Sequence, residues 1–349
     1  MEASTYIITC INAMKINQRL FDHYGIDTNK DLGIKGNCSR PWDTILIDKQ
    51  GSCYACECTA WLPQSIGNLQ VQSLSDIIGS DMHRHLQDSI DNDTYRYCNQ
   101  KQCGYLKKEF KEPGTHWPTH RPHDIQNLRL AIDDSCNLRC PSCRNQLIFH
   151  RSGSKFRLGI RLADRVNQWL DTFQERMMVH IGSDGDPFAS HVYRHFMEHT
   201  PRKDNISYSI LTNGLMLRDF HHRVPHVINN LDKLAISIDG ATKQTYEKLR
   251  LGGNWDKVID ALECARDLKD QNKFELELHM VVQEDNWREM SLMADLAGRY
   301  NVDRLFLNRI EDWSTDLDHS KQKFISTPEF QDQLAIVVKN PIVHAWTLS

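Results

Sequence analysis

The chain has 349 residues, 40% of them hydrophobic and 25% charged, which is enough for two domains because a single core stops growing before that length. Its formal charge of −4 carries no excess of positive charge to drive binding to a nucleic-acid backbone or an anionic membrane surface. No apolar run reaches the ~20 residues of a spanning helix, and the stretch from Tyr6 to Ile11 lacks the basic flank and cleavage site of a signal peptide, which points to the cytoplasm.

The 11 cysteines are clustered. Cys38, Cys53, Cys56, Cys58, Cys98 and Cys103 fall in the first third, and Cys136, Cys140 and Cys143 in one short loop. In a reducing compartment such groups read as metal or cluster ligands rather than disulfides, and two separate sites are expected. Cys10 and Cys264 stand apart; Cys264 falls off its helical stripe and is expected to be half-buried.

In chain order, residues 1–37 form an extension. Thr44 to Asp48 and Ser52 to Cys56 flank a Lys-Gln-Gly turn and predict a hairpin. Leu74 to Ile90 predicts one helix with Leu74, Ile77, Ile78, Met82 and Leu86 on one face. This front unit, 38–110, is poor in core and needs a staple, which a metal or cluster would supply. Residues 111–124, rich in proline, form a linker. Its His116, His120 and His123 are spaced as a metal site could use, but Pro118 and Pro122 oppose a helical presentation, and a structured linker is expected.

After the linker, strands are predicted at Leu128 to Ile132, Met178 to Ile181, Ile206 to Leu211, Leu234 to Ile238, Leu276 to Val282 and Arg304 to Leu307. Between them run helical patterns, the clearest carried by Leu162, Val166, Trp169, Leu170 and Phe173, and by Val258, Ile259, Leu262 and Ala265. This alternation implies parallel pairing through right-handed crossovers, with chemistry gathered at the carboxyl ends of the strands. Residues 125–313 make up this α/β domain and 314–349 a C-terminal extension.

The first of these strands runs into DDSCNLRCPSCRN. Three thiolates so close can ligate three irons of a 4Fe-4S cluster and leave the fourth open to a substrate or cofactor. A zinc knuckle lacking its fourth ligand is the alternative, with His150 the nearest further donor. CNLRCPSC resembles the signature loop of the radical S-adenosylmethionine (SAM) superfamily. The resemblance implies a partial (β/α)6 barrel over 125–313 and a cluster on Cys136, Cys140 and Cys143 that binds SAM and cleaves it. Ser142 stands where the family often has an aromatic residue against the adenine.

Further strand ends fit the same resemblance. HIGSDGDPF, with Gly182, Gly185 and Asp186, resembles the family's glycine motif for the SAM amino group, and its glycines allow backbone to approach a ligand closely. Thr212 and Asn213 end the third strand. Ser237 and Asp239 share a face at the end of the fourth and resemble its ribose-binding position. Arg250 is a candidate partner for the SAM carboxylate or a solvated helix-end arginine. Gln283 and Asn286 resemble nucleoside contacts, and Asn308 and Arg309 are candidates for the substrate side.

The front unit resembles the SPASM and Twitch auxiliary-cluster domains, through CSRPWDTILIDKQGSCYAC and CNQKQC, although such domains normally follow the barrel. The resemblance implies ligands Cys38, Cys56, Cys98 and Cys103 for one auxiliary 4Fe-4S cluster. The residues alone leave the choice among Cys53, Cys56 and Cys58 open, as they do a four-thiolate zinc site.

The fold class expected is therefore α/β, a partial (β/α)6 radical SAM barrel preceded by a small cysteine-rich Twitch/SPASM-like domain. The expected function is reductive cleavage of SAM to a 5′-deoxyadenosyl radical that takes a hydrogen atom from a peptide or small-molecule substrate, for an oxidation, crosslink or epimerisation. An electron donor such as flavodoxin or ferredoxin is the implied partner, with neither nucleic acid nor membrane. The segment before Cys38 is too short for a separate peptide-recognition domain, so a peptide would be captured another way. The alternatives are a non-catalytic iron–sulfur or zinc scaffold passing electrons, and a degenerate radical SAM protein.

Overall fold

The computed structural model describes residues 26, 38–107, 125–311, 315–345 and 348. The linker histidines, Cys10 and nearly all of the N-terminal extension lie outside the described residues. The chain divides into two compact units, one of 1–132 with 164–178, the other of 133–163 with 179–349.

In the first unit, β1 (Thr44–Asp48) and β2 (Ser52–Tyr54) form the expected antiparallel hairpin, with Leu46 opposite Tyr54 and Ile47 opposite Cys53. The turn closes because the Asp48 carboxylate accepts the Gln50 and Ser52 N–H groups at 2.9 and 2.8 Å, while Gly51 takes φ +78, a conformation that favours glycine. β3 (Ser65–Asn68), a strand with no clear signature, extends the hairpin antiparallel to β2. β4 (Asn127–Ala131), the first of the six predicted α/β strands, pairs in parallel with β1, Leu128 facing Ile45 and Leu130 facing Ile47. Both apolar pairs are fully buried.

The single helix expected over Leu74–Ile90 is two, Leu74–Ile77 and Asp81–Asp91. Gly79 adopts φ +81, and the Ser80 hydroxyl caps the second helix by accepting the His83 N–H. A serine at each N-cap and a left-handed glycine between them outweigh the continuous apolar periodicity.

In the second unit, β6 (Ile206–Thr212), β7 (Leu231–Ser237), β8 (Glu275–Val282), β9 (Arg304–Arg309) and β10 (Val343–His344) pair in that order, all in parallel. β5 (Met177–Ile181) neighbours β6. Helices alternate with the strands. The helix Trp255–Asn272 starts where the Asn254 side chain accepts the Lys257 N–H and ends at Lys273 in the left-handed conformation. It buries Val258, Ala261, Leu262 and Ala265. Cys264 is buried too, 3% exposed rather than half-buried, with its sulfur 4.0 Å from His221 Nδ1. The architecture is the α/β partial barrel, with a small cysteine-rich unit before it in the chain, that the resemblance implied. No helix among the described residues is long and apolar enough to cross a membrane.

Candidate functional site

The cysteine loop lies in the second unit and is held by backbone bonds at several points. The Cys136 N–H donates to Ile148 O at 2.9 Å, Arg139 N–H to Leu251 O at 3.0 Å, and Cys143 N–H to Cys140 O at 2.9 Å. Cys140 is buried, Cys136 half-buried and Cys143 exposed, and all are free thiols. Burial, reinforced by the Asp186 carboxylate, pushes the Cys136 thiol up to about 12; burial also raises Cys140. Thiols of this kind stay protonated until a metal displaces the proton.

The Cys136 sulfur is already aimed at by donors. The Leu138 N–H lies 3.4 Å from it and Asn213 Nδ2 3.7 Å. Arg144, directly after the third cysteine and not singled out by the sequence, donates to Asp134 O at 2.8 Å. Burial works against its guanidinium, yet the adjoining Cys143 holds it above its usual range. No further cysteine of the second unit is free for the loop among the described residues, since Cys264 faces His221. His150 Nε2 is paired with Asp134 Oδ1 at 2.8 Å. Three cysteine donors in a pinned loop, with N–H groups on one sulfur, fit a three-cysteine iron–sulfur cluster better than a four-ligand zinc site.

In the glycine motif, backbone approaches backbone. Gly182 and Gly185 have φ +102 and +73. A Cβ on Gly182 would fall 2.2 Å from Leu211 O, and one on Gly185 would fall 2.6 Å from Ser135 O and 2.8 Å from Asp133 O. These glycines let backbone meet backbone, bringing the loop after β5 against the cysteine loop. Asp186, expected at the SAM amino group, is 2% exposed and has its carboxylate taken up. It accepts from Phe188 N–H at 3.1 Å, Ala189 N–H at 3.0 Å, Thr212 Oγ1 at 2.8 Å and Asn213 N–H at 2.7 Å.

The end of β7 needs a similar correction. Ser237 is half-buried, but Asp239 is 1% exposed. One of its oxygens accepts the Val281 N–H at 2.9 Å, and the other lies 2.7 Å from Arg250 Nε. Arg250 is therefore a buried, ion-paired residue rather than a solvated helix-end arginine, with its Nε committed to Asp239. Asn286 is fully buried, donating to Asp239 O and Val281 O. Its backbone-to-backbone bridging explains its burial without a nucleoside. Glu289, which the sequence did not mark, accepts from Ala241 N–H at 2.7 Å and Thr242 Oγ1 at 2.8 Å, fixing the loop after β7. Gln283 is buried and Ser142 is 8% exposed, while Asn308 is half-buried and Arg309 exposed at the end of β9.

In the first unit, Cys38, Cys56, Cys98 and Cys103 line one cavity together with Trp61 and Tyr95. Burial pushes Cys38 up to about 12 and raises Cys56 and Cys98 well above the usual thiol range. Cys53 turns elsewhere, its sulfur 3.7 Å from Gly51 O. Cys58 does not line the cavity; its carbonyl accepts the Trp61 and Leu62 N–H groups. Of the three neighbours, Cys56 is the one that lines the cavity. Four thiols around one cavity fit a cluster or metal with a complete protein ligand set.

Residues 132–297 match the family model of the radical SAM superfamily, and residues 38–104 match that of SPASM, an iron–sulfur cluster-binding domain. The chain is 30% identical over 152 residues to the GTP 3′,8-cyclase of Lactiplantibacillus plantarum, covering 42% of this chain and 43% of that protein. It is 26% identical over 144 residues to a probable GTP 3′,8-cyclase of Methanococcus maripaludis, covering 41% and 46%. The match spans less than half the length of these relatives. Among solved structures, SuiB of Streptococcus suis bound to the precursor peptide SuiA aligns with a TM-score of 0.45 at 10% identity, covering 63% of this chain and 48% of that one. The cofactors that go with the two matched domains are SAM, the 4Fe-4S cluster that binds it, and an auxiliary iron–sulfur cluster. The cysteine loop and the cysteine-lined cavity fall inside the two matched segments, and the chain carries a radical SAM superfamily domain with a SPASM domain N-terminal to it.

Proposed function

We propose that this protein reductively cleaves SAM to a 5′-deoxyadenosyl radical and takes a hydrogen atom from a peptide or small-metabolite substrate, with Cys136, Cys140 and Cys143 holding the SAM-binding cluster. The observation that carries this is the pinned loop of three free thiols with no fourth cysteine turned toward it among the described residues of its unit. A cluster held by three cysteines keeps one iron for SAM and supplies the electron for its cleavage.

The chain's own residues hold this site in place. Gly182 and Gly185 seat the loop after β5, and Asp186 ties it to the end of β6. Ser237 is the residue of the pair at the end of β7 left for a ribose hydroxyl, because Asp239 is spent on Val281 and Arg250. In the front domain, taken as 38–110, Cys38, Cys56, Cys98 and Cys103 hold the auxiliary cluster. With four protein ligands it passes electrons rather than binding substrate, which suits an oxidation, crosslink or epimerisation. A flavodoxin or ferredoxin supplies the first electron. The partial barrel is taken as 125–313. The names of the curated relatives make GTP the first small metabolite to try.

The test is anaerobic formation of 5′-deoxyadenosine from SAM with a strong reductant. Reconstituted protein is expected to make it and the Cys136→Ala, Cys140→Ala, Cys143→Ala triple variant to make none. A fully loaded, reduced protein that makes none would overturn the proposal in favour of an electron-passing scaffold.

A further inference from the structure

Asp186 and Asn213 form a connected arrangement that the reaction described above does not use. Asp186 is buried, and its own N–H donates to Ser135 O at 2.8 Å, just before Cys136. Its carboxylate receives the Asn213 N–H and the Thr212 hydroxyl. One residue thus joins the start of the cysteine loop to the end of β6. A carboxylate buried this deeply costs free energy unless its oxygens are bonded, and here the bonds go to backbone and a hydroxyl rather than to a cation.

The Asn213 side chain completes the connection. Its Oδ1 accepts the Leu215 N–H at 3.1 Å, and that bond settles which end of the amide is which. The NH2 end then points to the cysteine loop, with Asn137 Oδ1 at 2.8 Å and the Cys136 sulfur at 3.7 Å. A donor fixed on a cluster thiolate favours the reduced cluster, which carries the extra negative charge, and raises its reduction potential.

We propose that Asn213 is a positioning residue that sets the reduction potential of the cluster through its hydrogen bond to the Cys136 sulfur, and that Asp186 holds Asn213 for that purpose. This rests on the reading that Cys136 ligates the SAM cluster. It also gives the acidic residue of the Gly185-Asp186-Pro187 turn a role toward the cluster instead of toward SAM.

The experiment is an EPR-monitored redox titration of the anaerobically reconstituted full chain, alongside iron content and thermal melting. Asn213→Leu keeps the branched shape of the side chain, though it is bulkier, and removes the donor. Asn213→Ala removes the side chain but leaves the backbone N–H on Asp186, and serves if the leucine does not fit. Both leave the Leu138 N–H in place, so any shift belongs to Asn213. The expected result is a more negative midpoint potential at unchanged iron content. Under limiting reductant, 5′-deoxyadenosine formation should fall several-fold with the KM for SAM unchanged. Asp186→Asn should shift the potential the same way by less.

Midpoint and g-values equal to wild type in loaded variants would overturn the proposal. So would failure of both Asn213 variants to hold a cluster that wild type holds, which would make the residue an assembly determinant. If wild type itself holds no such cluster, it is the reading of Cys136 that fails, and the two outcomes are distinct.

Discussion

Arg250 and Asp239 form a buried ion pair, Nε to Oδ2 at 2.7 Å, at the end of β7. Burial works against the guanidinium, and Asp239 more than offsets it, so Arg250 stays charged. Asp239 is tied in turn to Val281 on β8. The pair therefore joins the segment after Leu249 to two strand ends.

Removing one partner strands the other charge in the interior. Asp239→Ala or Arg250→Met is expected to lower the unfolding free energy by about 3–5 kcal/mol, and the double replacement by less than the sum of the two. Urea denaturation of the four proteins checks this. Strict additivity of the single changes would show that the two side chains do not depend on each other.

The front domain separates its cysteines by placement. Cys56→Ala should cost the auxiliary site its iron and lower the melting temperature of the domain, while Cys53→Ala and Cys58→Ala should keep full iron. Iron and sulfide analysis of the three variants decides. Equal iron loss at Cys53 would mean that the cavity around Cys38, Cys56, Cys98 and Cys103 is not the ligand set.

Glu277 gives the protein part of its acid limb. Burial pulls its carboxyl upward, but the His279 ring, Glu275 and Lys233 hold it down, from 4.5 to about 2. His279 Nε2 lies 3.0 Å and Lys233 Nζ 2.8 Å away. A group whose folded value is depressed contributes stability that is complete above the unfolded value and is lost as pH falls through the folded one. Melting temperature should therefore drop from pH 4.5 toward 2. Glu277→Gln should start lower at neutral pH and fall less steeply across that window.

Strand positions were legible because alternating apolar residues leave a period-2 signature wherever one face is buried. Ile206, Tyr208, Ile210 and Thr212 of β6 are all buried, with half-buried residues between them. The cysteine loop was legible from spacing, since its three thiols are neighbours in the chain. β3 was not, because its four residues, Ser-Ile-Gly-Asn, carry one buried apolar side chain and become a strand only by pairing with β2.

The sequence by itself determined the two groups of thiols, the alternation of strands and helices, and the edge of the sheet where polar residues collect. Only the tertiary structure decided which of those polar residues are spent on one another. Asp186, Asp239, Arg250 and Asn286 looked available for a ligand, yet each is bonded to a group of another segment of the chain. A buried carboxylate or guanidinium must find a partner, and which one it finds depends on distances across the fold, which spacing along the chain does not encode.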